Sequence, residues 1–307
     1  MIAELRGTRK HYSLDNLCAA FGYTRQAWYN HLKRSELQAF QEHIVLQRIK
    51  EIRKDLPKTG CIKLYKELNN GFLKALGIAM GRDAVFNLVR ENGMLVKSRK
   101  RHATTTNSFH RYRIHPDLVQ RRHPQSAEEI WVSDITYITT TIGFTYLSLI
   151  TDAYSRKIVG YYLSTDLKAS GCIKALLQAV QQRIYPEKPL IHHSDRGTQY
   201  CCDDYISSLR QKAIQISMTQ TGSPYDNAIA ERVNGILKTE FDLYKTFKSY
   251  NQASVAVDQA VYKYNNLRLH ASCHYHTPEN THRQEKNNQN TLKRSHVNKY
   301  QEENITL

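Results

Sequence analysis

The stretch from Ile130 to Ser164, IWVSDITYITTTIGFTYLSLITDAYSRKIVGYYLS, contains three runs of β-branched and aromatic residues, IWVSDITYI, FTYLSLITD and RKIVGYYLS, separated by short turns. Such runs favour strands, and connections this short make neighbours pair antiparallel, so the stretch predicts a three-stranded meander. In the first run Val132, Asp134, Thr136 and Ile138 alternate onto one face. An acid in the middle of a strand is expensive to bury unless a cation or several donors meet it, so Asp134 demands a reason.

Downstream, helix and strand patterns alternate. A helix near residues 168–183 precedes the strand PLIHH, and a helix from Asp203 to Lys212 precedes the short strand IQISM. Antiparallel strands followed by this alternation predict a mixed α/β sheet of five strands with helices on its faces. Asp195 stands just past the end of PLIHH, where ligand sites of open α/β sheets lie.

The next segment is TGSPYDNAIAERVNGILKTE, Thr221 to Glu240. Ser223, Pro224 and Asp226 read as a capped helix start. Ile229, Val233, Ile236 and Leu237 then form an apolar stripe, while Asn227, Glu231, Asn234 and Lys238 line another face. Glu231 would join Asp134 and Asp195 if that polar face packs toward the strand ends; Asn234 has no assigned role. A further helix spans Tyr250 to Asn266, and the Asn-, Gln- and Lys-rich end reads as a loose tail.

The chain of 307 residues is 40% hydrophobic, enough for at least one sizeable core, and its net charge is +16. That charge is segregated. Residues 1–126 carry 24 Lys or Arg against 10 Asp or Glu, residues 127–282 carry 15 of each, and the tail carries 5 against 3. A basic first third ahead of a neutral middle points to a polyanionic partner, double-stranded DNA first. No apolar run is long enough to span a bilayer, the start lacks the apolar block of a secretory signal, and the six cysteines show no paired metal-ligand spacing. The expectation is a cytoplasmic protein with reduced cysteines and no membrane partner.

Within the basic third, YSLDNLCAAFGYTRQAWYNHLKR reads as two short helices, with Ser13 and Thr24 as caps and Gly22 between them. That is a helix-turn-helix pattern, and its second helix would present Arg25, Gln26, Asn30 and Lys33 to DNA. Any small helical hairpin gives the same pattern. A separate helix from Gln41 to Asp55, then CIKLYKELNN and GRDAVFNLVRENGML, suggest a second helical DNA-binding unit. The linker after it, with Lys97, Arg99, Lys100 and Arg101, can follow a phosphate backbone or simply be solvated. The expected organisation is 1–38 helix-turn-helix-like, 39–95 second helical unit, 96–126 basic linker, 127–282 catalytic core and 283–307 polar tail.

Three converging carboxylates repel one another unless divalent metal is present, and oxygen-only ligands favour Mg²⁺ or Mn²⁺. Among 28 acids some trio at any chosen spacing is expected, so spacing alone is weak; the mid-strand acid is the stronger signal. The residues themselves say more. WVSDITYI, DAYSRKIVG, HHSDRGTQY, GSPYDNAIAERVNGILKTE and YNNLRLHASCHYHTPEN closely resemble the corresponding motifs of DDE-type bacterial insertion-sequence transposases of family three, whose core is similar to retroviral integrase. Sixty residues separate Asp134 from Asp195 and 35 separate Asp195 from Glu231, as in that family's pattern.

The resemblance implies an RNase H-like fold with Asp134, Asp195 and Glu231 as a catalytic triad binding two Mg²⁺ or Mn²⁺ ions. It also implies DNA cleavage and strand transfer, DNA contact by Lys238, and Asn227 shaping the site. It further implies a homo-oligomer on DNA, location at the bacterial nucleoid, and an upstream-frame partner carrying a helix-turn-helix and a leucine zipper. The alternatives are a nuclease of the same fold that only hydrolyses and a DNA-binding regulator with an inactive core. The RLHASCHYH stretch keeps Arg268, His270, Thr277 and Pro278 but lacks the usual proline after the arginine, and its His and Cys residues leave a zinc site open.

Overall fold

The structure, a computed structural model, describes residues 2, 5, 13–97, 112–120, 122–220 and 227–284. The chain forms two compact units, one of Met1–Asp55 with Thr59–Val96 and the other of Leu56–Lys58 with Lys97–Leu307.

The described part of the N-terminal unit is helical. Helix α1 (Leu14–Ala20) is capped by Ser13, whose Oγ accepts from the Asn16 amide at 3.2 Å. Helix α2 then runs unbroken from Arg25 to Asp55. The sequence reading placed two helices here, divided near residue 38. The segment contains neither Gly nor Pro, and its middle, SELQAFQ, is rich in helix formers, so nothing ends the first helix. The second half of α2 lays Val45 and Ile49 against Leu64 and Leu68 of the α3 region (α3, Cys61–Glu67) and against Val85, Leu88 and Val89 of α4 (Arg82–Glu91).

In the second unit five strands form one sheet: β1 (Ile130–Thr140), β2 (Gly143–Asp152), β3 (Ile158–Ser164), β4 (Ile191–Ser194) and β5 (Gln215–Met218). Their spatial order is β3-β2-β1-β4-β5, with the first three antiparallel and β1, β4 and β5 parallel. This is the mixed RNase H-like sheet that the sequence predicted. Between the strands lie α5 (Ala169–Gln181), α6 (Thr198–Cys201) and α7 (Asp203–Gln211), and after the last strand come α8 (Ala228–Glu240) and α9 (Tyr250–Asn266).

Strand alternation divides the core in two. Ile138, Leu147 and Leu149 meet Val233, Ile236 and Leu237 of α8 and Val257 and Tyr264 of α9. Trp131 and Ile150 meet Ala175, Leu176 and Ala179 of α5 and Tyr205 and Leu209 of α7. The register of β3 shifts where Ile150 pairs with Gly160 and Thr151 with Ile158, a bulge that turns Gly160 against α5. A Cβ there would lie 2.2 Å from the Ala175 carbonyl oxygen and 2.8 Å from the Ala179 Cβ. Gly160→Ala should therefore lower unfolding stability by about 1–3 kcal/mol, read as an earlier urea midpoint. An unchanged midpoint would contradict this packing.

The outer edge of β3 is blunted by side chains. Asn265 exchanges hydrogen bonds with both the Ile158 amide and carbonyl at 2.9 Å, Gln178 accepts from the Tyr161 amide, and the Tyr250 hydroxyl donates to the Leu163 carbonyl.

Around the start of β1 lies a buried ionic cluster. Glu128 accepts from the Ile184 amide at 2.6 Å, the Tyr185 amide at 3.2 Å and Arg183 Nε at 3.0 Å. Asp152 accepts from the amides of Glu128 and Ser155 and from the Ser155 hydroxyl, each at 2.7 Å. Asp152 thus has a structural role, anchoring the turn before YSRK. His282, from the helical segment 278–284, sits between the two acids, with Nε2 3.5 Å from Glu128 and Nδ1 3.7 Å from Asp152. Ser155 Oγ is 2.8 Å from His282 Nδ1, but both residues are buried and no substrate reaches them.

The RLHASCHYH stretch forms a tight turn in which His274 and Tyr275 have positive φ. Cys273 turns inward, its thiol donating to the Ser155 carbonyl, while His274 and His276 are exposed, so these side chains diverge. All six cysteines are free thiols. Among the described residues no helix is long and apolar enough to cross a membrane.

Candidate active site at the strand ends

Asp134 lies in the middle of β1 on the face covered by α8. Its Oδ1 accepts from the Ile135 amide at 2.9 Å and its Oδ2 from Asn234 Nδ2 at 2.7 Å. Burial pushes its carboxyl up, and the negative charges of Asp195 and Glu231 push it further, to about 7. The Asn234 and Ile135 hydrogen bonds oppose that rise without cancelling it. The sheet and α8 thus bring the three acids into electrostatic reach of one another.

Asp195 follows the last residue of β4, beside β1 in the parallel pair, and Ser194 is in register with Ser133. Its Oδ1 accepts from the Gly197 amide at 2.9 Å, folding the carboxylate back over the turn. A Cβ at Gly197 would approach that oxygen to 3.1 Å, so glycine leaves the carboxylate room. Arg196 ties the ends of β4 and β5 together by donating to the carbonyls of Thr219 and Gln220.

Glu231 is exposed in the first turn of α8. That helix begins at Ala228 with Asn227 as its N-cap residue, four positions later than a Ser223 cap predicted, and Ser223, Pro224 and Asp226 lie outside the described residues. Asn227 does not cap the helix with its side chain. Its Nδ2 donates instead to the Ser133 carbonyl at 2.9 Å, next to Asp134. Lys238 is half-buried; burial lowers its pKa, and the nearby Asp134 charge acts in the opposite direction.

Asn234 is the residue the sequence left without a role. It is buried, and it joins α8 to the Asp134 carboxylate. The amide oxygens of Asn234 and Asn227 have no hydrogen-bond partner among the described residues. The signal available in the sequence was position: Asn234 stands one helical turn after Glu231 and one before Lys238, on the face that meets β1. Beneath the site, on the opposite face of the sheet, His192 Nε2 lies 2.6 Å from Ser133 Oγ and 2.9 Å from the Tyr205 hydroxyl. Burial drives the His192 pKa to about 3, so the ring is a neutral packing element.

Among the described residues no three His, Cys, Asp or Glu side chains are gathered closely enough to hold a metal ion. Asp134 feels the charges of both Asp195 and Glu231, though the three carboxylates do not close on a common point. The donor chemistry nonetheless fits a hard divalent cation: carboxylate oxygens only, with one carboxyl held up by burial and by its neighbours' charge.

Arg25, Gln26, Asn30 and Lys33 are exposed on the first turns of α2 in the N-terminal unit. Arg25 is 3.5 Å from Asp15 and its guanidinium lies 5.8 Å from the Tyr29 ring centre, while Gln26 donates to Asn30 at 3.3 Å. Lys97 is exposed; Arg99, Lys100 and Arg101 lie outside the described residues.

Two models of the integrase core domain match, over residues 124–224 and 212–278. The 31 kDa protein of insertion element IS600 from Shigella sonnei is 33% identical over 83% of this chain and 93% of its own length. The transposase assigned to insertion sequence element IS986/IS6110 of Mycobacterium tuberculosis is 35% identical over 70% of this chain and 77% of its own. The magnesium-bound integrase catalytic core domain of HTLV-2 covers 52% of this chain and 99% of its own at 19% identity, with a TM-score of 0.42, a distance at which it adds nothing to the fold already described.

Proposed function

Since the chain belongs to the insertion-sequence transposases of family three, with an integrase core, we propose that it binds the inverted-repeat ends of a mobile element and cuts and joins DNA at Asp134, Asp195 and Glu231. The observation that carries this reading is the placement of Asp134: a carboxylate set into a strand and raised to about 7, first by burial and then by the charges of Asp195 and Glu231. Such repulsion costs stability, and a binding-only protein gains nothing from acids that also repel DNA.

Asp134 and Asp195 from adjacent parallel strands, with Glu231 from α8, would hold Mg²⁺ or Mn²⁺, two ions per site by the family pattern. Bound there, such ions activate a water or a 3′ hydroxyl and stabilise the departing oxygen of a phosphodiester. Asn234 orients the Asp134 carboxylate, and Lys238 offers its ammonium to a DNA phosphate. Homo-oligomerisation on DNA, and an upstream partner with a further helix-turn-helix and leucine zipper, belong to the same proposal.

The test is incubation of the protein with end-containing DNA, Mg²⁺ or Mn²⁺ and a target plasmid, with the products sequenced. Joined products are expected from the wild type and none from Asp195→Asn or Glu231→Gln. Cleavage without joining would mean a hydrolytic nuclease; tight binding without cleavage would mean a regulator.

Binding itself should be strongly salt-dependent. Affinity for end DNA is expected to fall about 10³-fold or more between roughly 50 and 200 mM salt, and exchanging Arg25 and Lys33 for glutamine should reduce the log–log slope by about 2. An unchanged slope in that double variant would remove α2 from the DNA interface.

A further inference from the structure

Helix α8 carries Glu231, Asn234 and Lys238 along one face, so its angle and rotation on the sheet decide whether those side chains meet Asp134. Its front is tied to β1 by Asn227 and Asn234. Its last residue is Glu240, an acid at the end of a helix where the macrodipole is already negative. Arg268 resolves that conflict. Its Nε donates to Glu240 Oε2 at 2.8 Å and its Nη2 to Glu240 Oε1 at 2.6 Å, a two-pronged pair that fixes orientation as well as distance.

Arg268 is only 4% exposed. Its backbone amide donates to the Lys263 carbonyl just past the end of α9, and its guanidinium lies 5.7 Å from the Tyr264 ring centre. One residue therefore joins the ends of two helices: its backbone amide closes α9 and its guanidinium grips Glu240 at the end of α8. Lysine cannot do the same, because a single ammonium has no fork to match both carboxylate oxygens.

We propose that Arg268 is a positioning residue of the strand-transfer site: through Glu240 it sets the seating of α8, and hence where Glu231, Asn234 and Lys238 stand against Asp134. The inference rests on the proposed function for its catalytic readout, and its structural readout is independent of activity.

The experiment compares full-length wild type, Arg268→Lys, Arg268→Gln, Glu240→Gln and the reversed pair Arg268→Glu with Glu240→Arg. Below their melting temperatures, at saturating end DNA, Arg268→Gln should cleave at least about tenfold more slowly and need several-fold more Mn²⁺ for half-maximal rate, in line with a displaced ligand helix. Arg268→Lys should not rescue the rate, whereas the reversed pair should recover most of it. In hydrogen exchange, residues 231–240 should lose protection in Arg268→Gln while the strands keep theirs.

Uniform loss of protection across the sheet would reduce Arg268 to a general stability residue and overturn the proposal. So would a full rate in Arg268→Gln, or a reversed pair no better than the single variants. If the wild type itself fails to cleave, the functional reading fails, and the exchange pattern still decides whether Arg268 seats α8.

Discussion

Asp134→Asn is expected to bind end DNA as the wild type does, to show no metal-dependent cleavage or joining, and to be more stable than the wild type above pH 7. The first two results follow from the proposed chemistry. Asparagine keeps the shape and can still hydrogen-bond Asn234, but it removes the charge that a divalent cation needs; the loss of rate should exceed about 10³-fold, as for removal of a principal electrostatic stabiliser.

The third result follows from the pKa. The folded carboxyl is raised from 3.8 to about 7, so its favourable contribution is complete below pH 3.8 and is lost as pH rises through about 7. Asparagine does not ionise. Its advantage in thermal unfolding without divalent cations should be absent near pH 4 and reach a plateau above pH 7, at most about 4 kcal/mol for a shift of roughly three units. Added Mn²⁺ should shrink the gap by stabilising the wild type alone. A variant less stable than the wild type at pH 8, or one that still joins DNA, would remove Asp134 from the site.

His282→Gln is expected to cost about 3–5 kcal/mol, since it leaves the buried acids Glu128 and Asp152 without the cation between them. Burial lowers the His282 pKa, but hydrogen bonds to Asp152 and Glu128 outweigh it and hold it above 6.5, against an opposing charge from Lys157. Its contribution is therefore complete below pH 6.5 and lost as pH rises through the elevated value.

For Glu128 burial acts upward, yet hydrogen bonds from His282, the Ile184 amide, Arg183 and the Tyr185 amide hold it at about 2. That contribution is present above pH 4.5 and lost as pH falls toward 2. Urea midpoints measured from pH 3 to 9 in an Asp134→Asn background, which removes the Asp134 titration, should show an alkaline decline that adding His282→Gln abolishes. The same decline in both would assign it to other groups.

Much of this architecture was legible because its signals are local. Period-two runs in β1 to β3 and period-3.6 stripes in α5, α8 and α9 mark which face each element buries. Asp134 stood out because a mid-strand acid violates the pattern around it. The unbroken α2 was misread because the helix-turn-helix pattern suggested two short helices, while a run of helix formers carries the second one into the next. Asn234 was passed over because an asparagine on a polar helix face looks like any solvated residue until the strand opposite it is known.

The sequence by itself determined most of the strand and helix content and the mixed sheet, because hydrophobic periodicity and chain order are written along one dimension. Tertiary structure alone decided that Asn234 holds Asp134, that Asp195 and Glu231 raise its pKa, that His282 bridges Glu128 and Asp152, and that Arg268 grips the end of α8. These interactions join residues 28 to 154 positions apart. A hydrogen bond or an ion pair depends on distance in space, and no pattern of neighbours in the chain encodes which distant side chains will meet.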